Sequence, residues 1–248
     1  MNTQPFMAGR SAPAKPAETE VAALQMPAQA IARTVAALAA TLPFAVATAC
    51  ATGPLDAESL SPAELAYLRS LGRGPRRNEW LLGRAALAGL FAFNRPPPGS
   101  AGTVQQACWS LSHSGDVAIA VATTNPNVAI GVDIEAPPGP SGRCLRLFLT
   151  DRESRWLHTL KSSSRQSAAN RLWALKEAAF KSVARPRSLV LRDFQIRETC
   201  LDSGITDYPA SARSRCFYRS CDVAGTAVAL AFRPLRTVRP SRPAEEKA

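Results

Sequence analysis

The sequence predicts an α+β fold, and three observations carry that prediction. Helical patterns opened by capping residues are interleaved with apolar runs of strand length, without a strict strand–helix–strand rhythm. Two of those runs, Asp116–Thr123 and Val128–Ile134, are separated only by Thr124-Asn125-Pro126-Asn127, the spacing of a hairpin with both strands largely buried. Hydrophobic residues make up 46% of the 248, enough to bury a core in one large domain or two fused half-domains.

The elements follow in chain order. Residues 1 to about 27 are rich in Ala, Pro and polar side chains and are expected to be a disordered leader. The longest uncharged stretch, Thr34 to Leu55, is only weakly apolar and is interrupted by Pro43. A membrane span needs about 20 strongly apolar residues, so the stretch reads as a short helix and then a buried strand, Pro43–Ala51. Glu18 and Glu20 ahead of it argue against a signal peptide. Ser61-Pro62-Ala63-Glu64 has the order of a capping box with proline at the first helical position. A longer helix is expected from about Arg77 to Phe93, then a loop at Pro96–Gly102. The hairpin follows and ends at Pro137–Gly142. Thr150-Asp151-Arg152-Glu153 resembles a second capping box, opening a helix to about Leu160. The cluster Ser162–Ser164 leads into another helix to about Val183, and Ser188–Arg197 and Val223–Phe232 read as strands. The division expected is an N-terminal half over residues 28–125, a C-terminal half over 126–233 and a flexible tail over 234–248.

The net charge of +11 favours an anionic partner, whether nucleic acid, membrane, phosphorylated small molecule or acidic protein. The six cysteines form no CxxC pair and there are only two histidines, so a structural zinc site is not expected. Scattered thiols of this kind suit reduced cysteines in the cytoplasm.

Chemistry concentrates in two stretches. In Gly131-Val132-Asp133-Ile134-Glu135, two carboxylates stand two residues apart at the end of a buried strand, so both share one face. Paired carboxylate oxygens suit magnesium, which takes one or two of them together with phosphate oxygens and water. In Trp173–Lys181, Glu177 and Lys181 lie one helical turn apart while Trp173 and Phe180 anchor the helix in the core. Glu177 can add a third carboxylate, and Lys181 can bind a phosphate oxygen as a point charge. Taken alone, the first stretch is more often a solvated strand end and the second an ordinary i, i+4 ion pair. Ser110-Leu111-Ser112-His113-Ser114-Gly115-Asp116 reads as a turn able to hold phosphate, and Arg76 and Arg84, just over two turns apart, can grip an extended anion. A Ser/His hydrolase is disfavoured, since there is no G-x-S-x-G and only His158 besides His113. Glu153 is explained by its capping box without any catalytic part.

Together these segments resemble a 4′-phosphopantetheinyl transferase of the larger, Sfp-like and EntD-like type. Four blocks in order carry the resemblance: RRNEWLLGR, SLSHSGD, GVDIE and LWALKEAAFK, within Arg73–Val183. It implies a pseudo-dimer of two similar α+β halves with the active site in the cleft between them. It also implies transfer of phosphopantetheine from coenzyme A to a serine of an apo-carrier protein, releasing 3′,5′-ADP. Asp133, Glu135 and Glu177 would hold magnesium, Lys181 a phosphate, Ser112 and His113 the 3′-phosphate region, and Arg76 and Arg84 the nucleotide end. Glu177 or Glu153 would serve as base. One departure is that Pro96–Gln106 lacks the family's coenzyme-contacting turn and has no lysine. The partner expected is an acidic carrier protein met by a basic, cytoplasmic monomer, with neither nucleic acid nor membrane involved. The rival reading is a metal-dependent nuclease or basic nucleic-acid-binding protein, disfavoured by few aromatics and no binding motif. A non-catalytic interaction module follows only if the acids do not converge.

Overall fold

The first helix, α1 (Glu18–Ala40), is Ala-rich and places Ile31, Val35 and Ala39 one turn apart on its buried face. The structure, a computed structural model, describes residues 18–91, 109–183, 189–197, 200–208 and 215–235. Residues 18–27, expected in the disordered leader, are the first turns of α1, a correction that follows from strong helix formers outweighing Pro27. Residues 1–17, the loop at Pro96–Gly102, the segment Pro96–Gln106, Ser188, Cys108 and tail residues 236–248 lie outside the described residues.

Strand β1 (Ala47–Ala51) comes next, then a 3₁₀ turn at Ala57–Ser59 and helices α2 (Pro62–Ser70) and α3 (Pro75–Leu90). The box at Ser61 forms as the sequence predicts. Glu64 N–H donates to Ser61 Oγ at 3.3 Å and Ser61 N–H donates to Glu64 Oε2 at 2.7 Å. Strands β2 (Trp109–Ser114) and β3 (Val117–Ala122) form a hairpin closed by Gly115-Asp116, with Gly115 at φ +56° where glycine is favoured. The first sheet is antiparallel in the order β1-β3-β2.

The second sheet is antiparallel in the order β4-β8-β7-β6-β5, built from β4 (Val128–Glu135), β5 (Gln195–Ile196), β6 (Ser203–Asp207), β7 (Arg215–Val223) and β8 (Thr226–Pro234). The expected hairpin between Asp116–Thr123 and Val128–Ile134 is therefore corrected. Both edges of β3 are taken, by β1 and β2, so β4 crosses to the other sheet and pairs with β8. The serine-rich segment expected as a turn is strand β2, and Ser188–Arg197 supplies only a 3₁₀ turn and the two residues of β5. Helices α4 (Arg143–Phe148), α5 (Asp151–Thr159) and α6 (Ser162–Lys181) join β4 to the remainder. The fold is α+β. Among the described residues no helix is long and apolar enough to cross a membrane.

Alternation decides what covers each face of the second sheet. Val128, Ile130, Val132 and Ile134 of β4, with Val228, Leu230 and Phe232 of β8, pack on α1. The opposite face of β8 is Ala227, Ala229 and Ala231, a shallow surface on which Leu172, Leu175, Ala178 and Ala179 of α6 lie close. At Gly131 the approach is closest, because a Cβ there would overlap the Ala178 carbonyl oxygen and come within 2.9 Å of Ser182 N. The first sheet receives Leu82, Ala86 and Leu87 of α3 on one side, while Ile119 and Val121 on its other side join the α1 core.

Cys50, Cys144, Cys200, Cys216 and Cys221 are all free thiols. Cys216 is fully buried 3.4 Å from Ser182 Oγ, and burial pushes its thiol up to about 11. The unfolded thiol ionises near 9.0. Between those values the folded chain keeps the proton that the unfolded chain loses, so stability falls as pH rises across this window, by roughly 2–3 kcal/mol. Urea unfolding should therefore show a smaller loss between about pH 8 and about pH 11 in Cys216→Ala than in the natural chain. Equal alkaline losses in the two proteins would contradict this.

Candidate functional site

Four charged side chains meet where β4 lies under the C-terminal end of α6. Asp133 and Glu135 sit on the face of β4 that turns toward α6, as their two-residue spacing predicts. Glu177 and Lys181 come from the last two turns of α6, and Lys181 Nζ donates to Asp133 Oδ1 at 2.7 Å and to the Val132 carbonyl at 3.4 Å. The close approach at Gly131 brings these two elements together. Gly131 was not among the residues singled out from the sequence, although its place inside an otherwise bulky buried strand was the available signal.

The charges do not balance. Asp133 is only 5% exposed, and burial pushes its carboxyl up despite Lys181, Ser112 and His113 acting to lower it. Burial raises the Glu135 carboxyl too, helped by repulsion from Asp133 and Glu177 and opposed by Lys181. For Glu177 burial is again the main cause, with Lys181 lowering and Asp133 raising. Three carboxylates thus share one lysine, an arrangement that favours an added cation. As the side chains stand, no group of three His, Cys, Asp or Glu among the described residues is placed to hold a metal ion. Lys181 occupies one side of Asp133 instead. The buried Asp133 Oδ2 has no hydrogen-bond partner, and the donor set is all carboxylate oxygen, so the residues fit a hard divalent ion such as magnesium.

The first sheet supports this cluster through hydroxyl groups. Strand β2 lies along the free edge of β4, and its alternate serines accept the backbone N–H groups of that edge. Val132 N–H donates to Ser110 Oγ at 3.0 Å, Ile134 N–H to Ser112 Oγ at 3.2 Å and Ala136 N–H to Ser114 Oγ at 3.0 Å. Ser112 Oγ in turn donates to Asp133 Oδ1 at 2.7 Å. The period-two serines of Ser110-Leu111-Ser112-His113-Ser114 were the sequence signal for this ladder, hidden by reading the segment as a turn.

The remaining candidates fall elsewhere. Ser112 is 5% exposed, whereas His113 beside it is exposed and near enough to Asp133 to act on its charge. Arg76 is exposed in the first turn of α3. Arg84 is buried, ion-paired with Glu64 and 5.9 Å from the Trp80 ring. This corrects the expectation of two arginines gripping one anion from a shared open face: the capping glutamate of α2 claims the second guanidinium. Glu153 is also committed. Thr150 N–H and Lys176 Nζ each donate to its Oε2 at 2.7 Å, and Ile196 N–H donates to its Oε1 at 3.0 Å. Lys176 is fully buried, its ammonium held by Glu153 and by the Phe148 carbonyl at 2.7 Å, and burial pushes its pKa down. The structure therefore groups Asp133, Glu135, Glu177 and Lys181, with Ser112 and His113 adjoining, and gives Glu153 a bracing part between α5, α6 and β5.

Residues 129–231 match the family model of the 4′-phosphopantetheinyl transferase superfamily. The match runs through β4 and on into β8, and contains Asp133, Glu135, Glu153, Lys176, Glu177 and Lys181. Arg76, Arg84, Ser112 and His113 lie outside it. The matched segment is similar to phosphopantetheinyl transferases, which supports a transferase and phosphopantetheine transfer as the general activity. No curated protein matches the chain.

Proposed function

We propose that this chain is a magnesium-dependent 4′-phosphopantetheinyl transferase of the Sfp-like type, moving phosphopantetheine from coenzyme A to a serine of an acidic apo-carrier protein. The single observation that carries the reading is the meeting of Asp133, Glu135 and Glu177 around Lys181 within the segment similar to this superfamily. In this reading the cleft between two similar α+β halves takes the coenzyme.

Asp133, Glu135 and Glu177 would hold the magnesium, which when bound supplies charge neutralisation to the pyrophosphate. Lys181 lies at the rim of the cluster and would turn from Asp133 to a phosphate oxygen once substrate enters. The exposed His113 and Arg76 are the groups left to meet the 3′-phosphate and nucleotide ends of the coenzyme. In the reaction the carrier serine oxygen forms a bond to the β-phosphorus. The bond from that phosphorus to the bridging oxygen breaks, and 3′,5′-ADP leaves with the electron pair. Glu177, partly exposed at the edge of α6, takes the serine proton directly or through water, because the Glu153 carboxylate is already occupied by three donors. The charge of +11 favours encounter with an acidic carrier.

Incubation with coenzyme A, magnesium and each of several apo-carrier proteins, read by intact mass, tests the proposal. A gain of one phosphopantetheine on at least one carrier, lost when magnesium is chelated, is expected. No gain on any carrier would overturn it.

A further inference from the structure

We infer that Ser112 is a positioning residue for Asp133 rather than a direct contact to the coenzyme. This rests on the reading of Asp133 as a cation ligand. The Ser112 hydroxyl has one proton to give, and it gives it to Asp133 Oδ1 at 2.7 Å. The Ile134 N–H donates to Ser112 Oγ at 3.2 Å and fixes the hydroxyl from behind. A phosphate oxygen only accepts, so Ser112 has no proton left for one while it holds Asp133.

The consequence lies in which carboxylate oxygen remains open. Ser112 and Lys181 both donate to Oδ1, and the buried Oδ2 is left without a partner. In the free protein these two donors on one oxygen fix the rotation of the carboxylate, so Oδ2 is the atom presented to a cation; once Lys181 turns to substrate, Ser112 is the donor that keeps that orientation. Support of this kind, from a group behind a ligand, orients the ligand and raises its affinity. The flanking serines make the arrangement rigid from the first sheet. Ser110 and Ser114 accept from the amides on either side, Val132 and Ala136, and so hold β2 in register with the free edge of β4. Ser110 does this without touching Asp133, which makes it the internal control.

The test measures Mn²⁺ binding to the free protein by electron paramagnetic resonance, alongside KM for coenzyme A and for 3′-dephospho-coenzyme A. Ser112→Ala should weaken Mn²⁺ binding by about 10- to 100-fold, Ser112→Thr should restore most of it, and Ser110→Ala should change it by less than about threefold. The preference for coenzyme A over its 3′-dephospho form should survive in Ser112→Ala. Unchanged Mn²⁺ affinity in folded Ser112→Ala, or collapse of that preference, would overturn the inference. An equal loss in Ser110→Ala would also overturn it, because the ladder alone would then account for the effect. Should Ser112→Ala not fold, Ser112→Cys, with a weaker donor, is read by the same two measurements. Mn²⁺ binding that responds to Ser112 in a protein that modifies no carrier would leave this inference standing and defeat the transferase reading. Absence of Mn²⁺ binding in the natural chain would defeat this one.

Discussion

Glu177→Gln should lose transfer by about a thousandfold or more while the protein unfolds at the same or a higher temperature. The two halves of that expectation have one cause. Burial raises all three carboxyls around a single lysine, and repulsion adds to it at Glu135 and Glu177, so each carboxyl holds its proton more tightly in the folded chain than in the unfolded one. At neutral pH, where a carboxylate is ionised, a raised folded pKa means that the charge opposes folding. The amide keeps the shape and removes the charge. Stability should therefore hold or rise by on the order of 1 kcal/mol, as is common where an active centre is strained. On the proposed function activity should fall, because the cation would lose one of its three proposed carboxylates and the carrier serine its proposed proton acceptor. Asp133→Ala should lose transfer in the same way without unfolding the chain. Transfer rates and thermal melts on the same samples decide the point: near-natural activity in either variant would refute the cation site, and a large drop in melting temperature for Glu177→Gln would make Glu177 a structural residue instead.

Which parts of this were legible in the sequence depended on how local the causes were. Both capping boxes are short-range, fixed by Ser61 with Glu64 and by Thr150 with Glu153, and both formed as read. The face shared by Asp133 and Glu135 followed from strand periodicity alone, and the turn between Glu177 and Lys181 from helix periodicity. Strand partners were not legible, because partner choice depends on which edges are already filled. β3 was complete once β1 and β2 flanked it, so the short connector at Thr124–Asn127 carries the chain between sheets instead of turning it back. Strand β7 was missed because Arg215, Arg219 and Asp222 interrupt its buried positions Cys216, Tyr218 and Ser220. Arg84 misled for a related reason: its spacing from Arg76 said nothing of Glu64, twenty residues upstream, which pairs with it. Glu153 shows the same limit from the other side, since its cap was visible but not the buried Lys176 that uses the same carboxylate.

Gly131→Ala should damage the fold and the site in one step, and it does so through a single methyl group. The added Cβ would overlap the Ala178 carbonyl oxygen and crowd Ser182 N, both main-chain atoms of the α6 C-terminus that no rotamer change can move aside. Overpacking a core costs typically about 1–3 kcal/mol when side chains can adjust, and a clash with backbone belongs at or above the top of that range. The relief available is for α6 to lift from β4. That shift carries Glu177 and Lys181 away from Asp133 and breaks the 2.7 Å bond from Lys181, so transfer should fall by a factor of a hundred or so even in the fraction that remains folded. Gly53→Ala is the matched control, since nothing lies within 4 Å of a Cβ at that position and its backbone is not in the left-handed region. Urea unfolding should place the Gly131 variant about 3 kcal/mol or more below the natural chain, with the Gly53 variant close to it. A fully stable, fully active Gly131→Ala would mean that α6 does not rest on β4 as closely as described, and the carboxylate cluster built on that contact would fall with it.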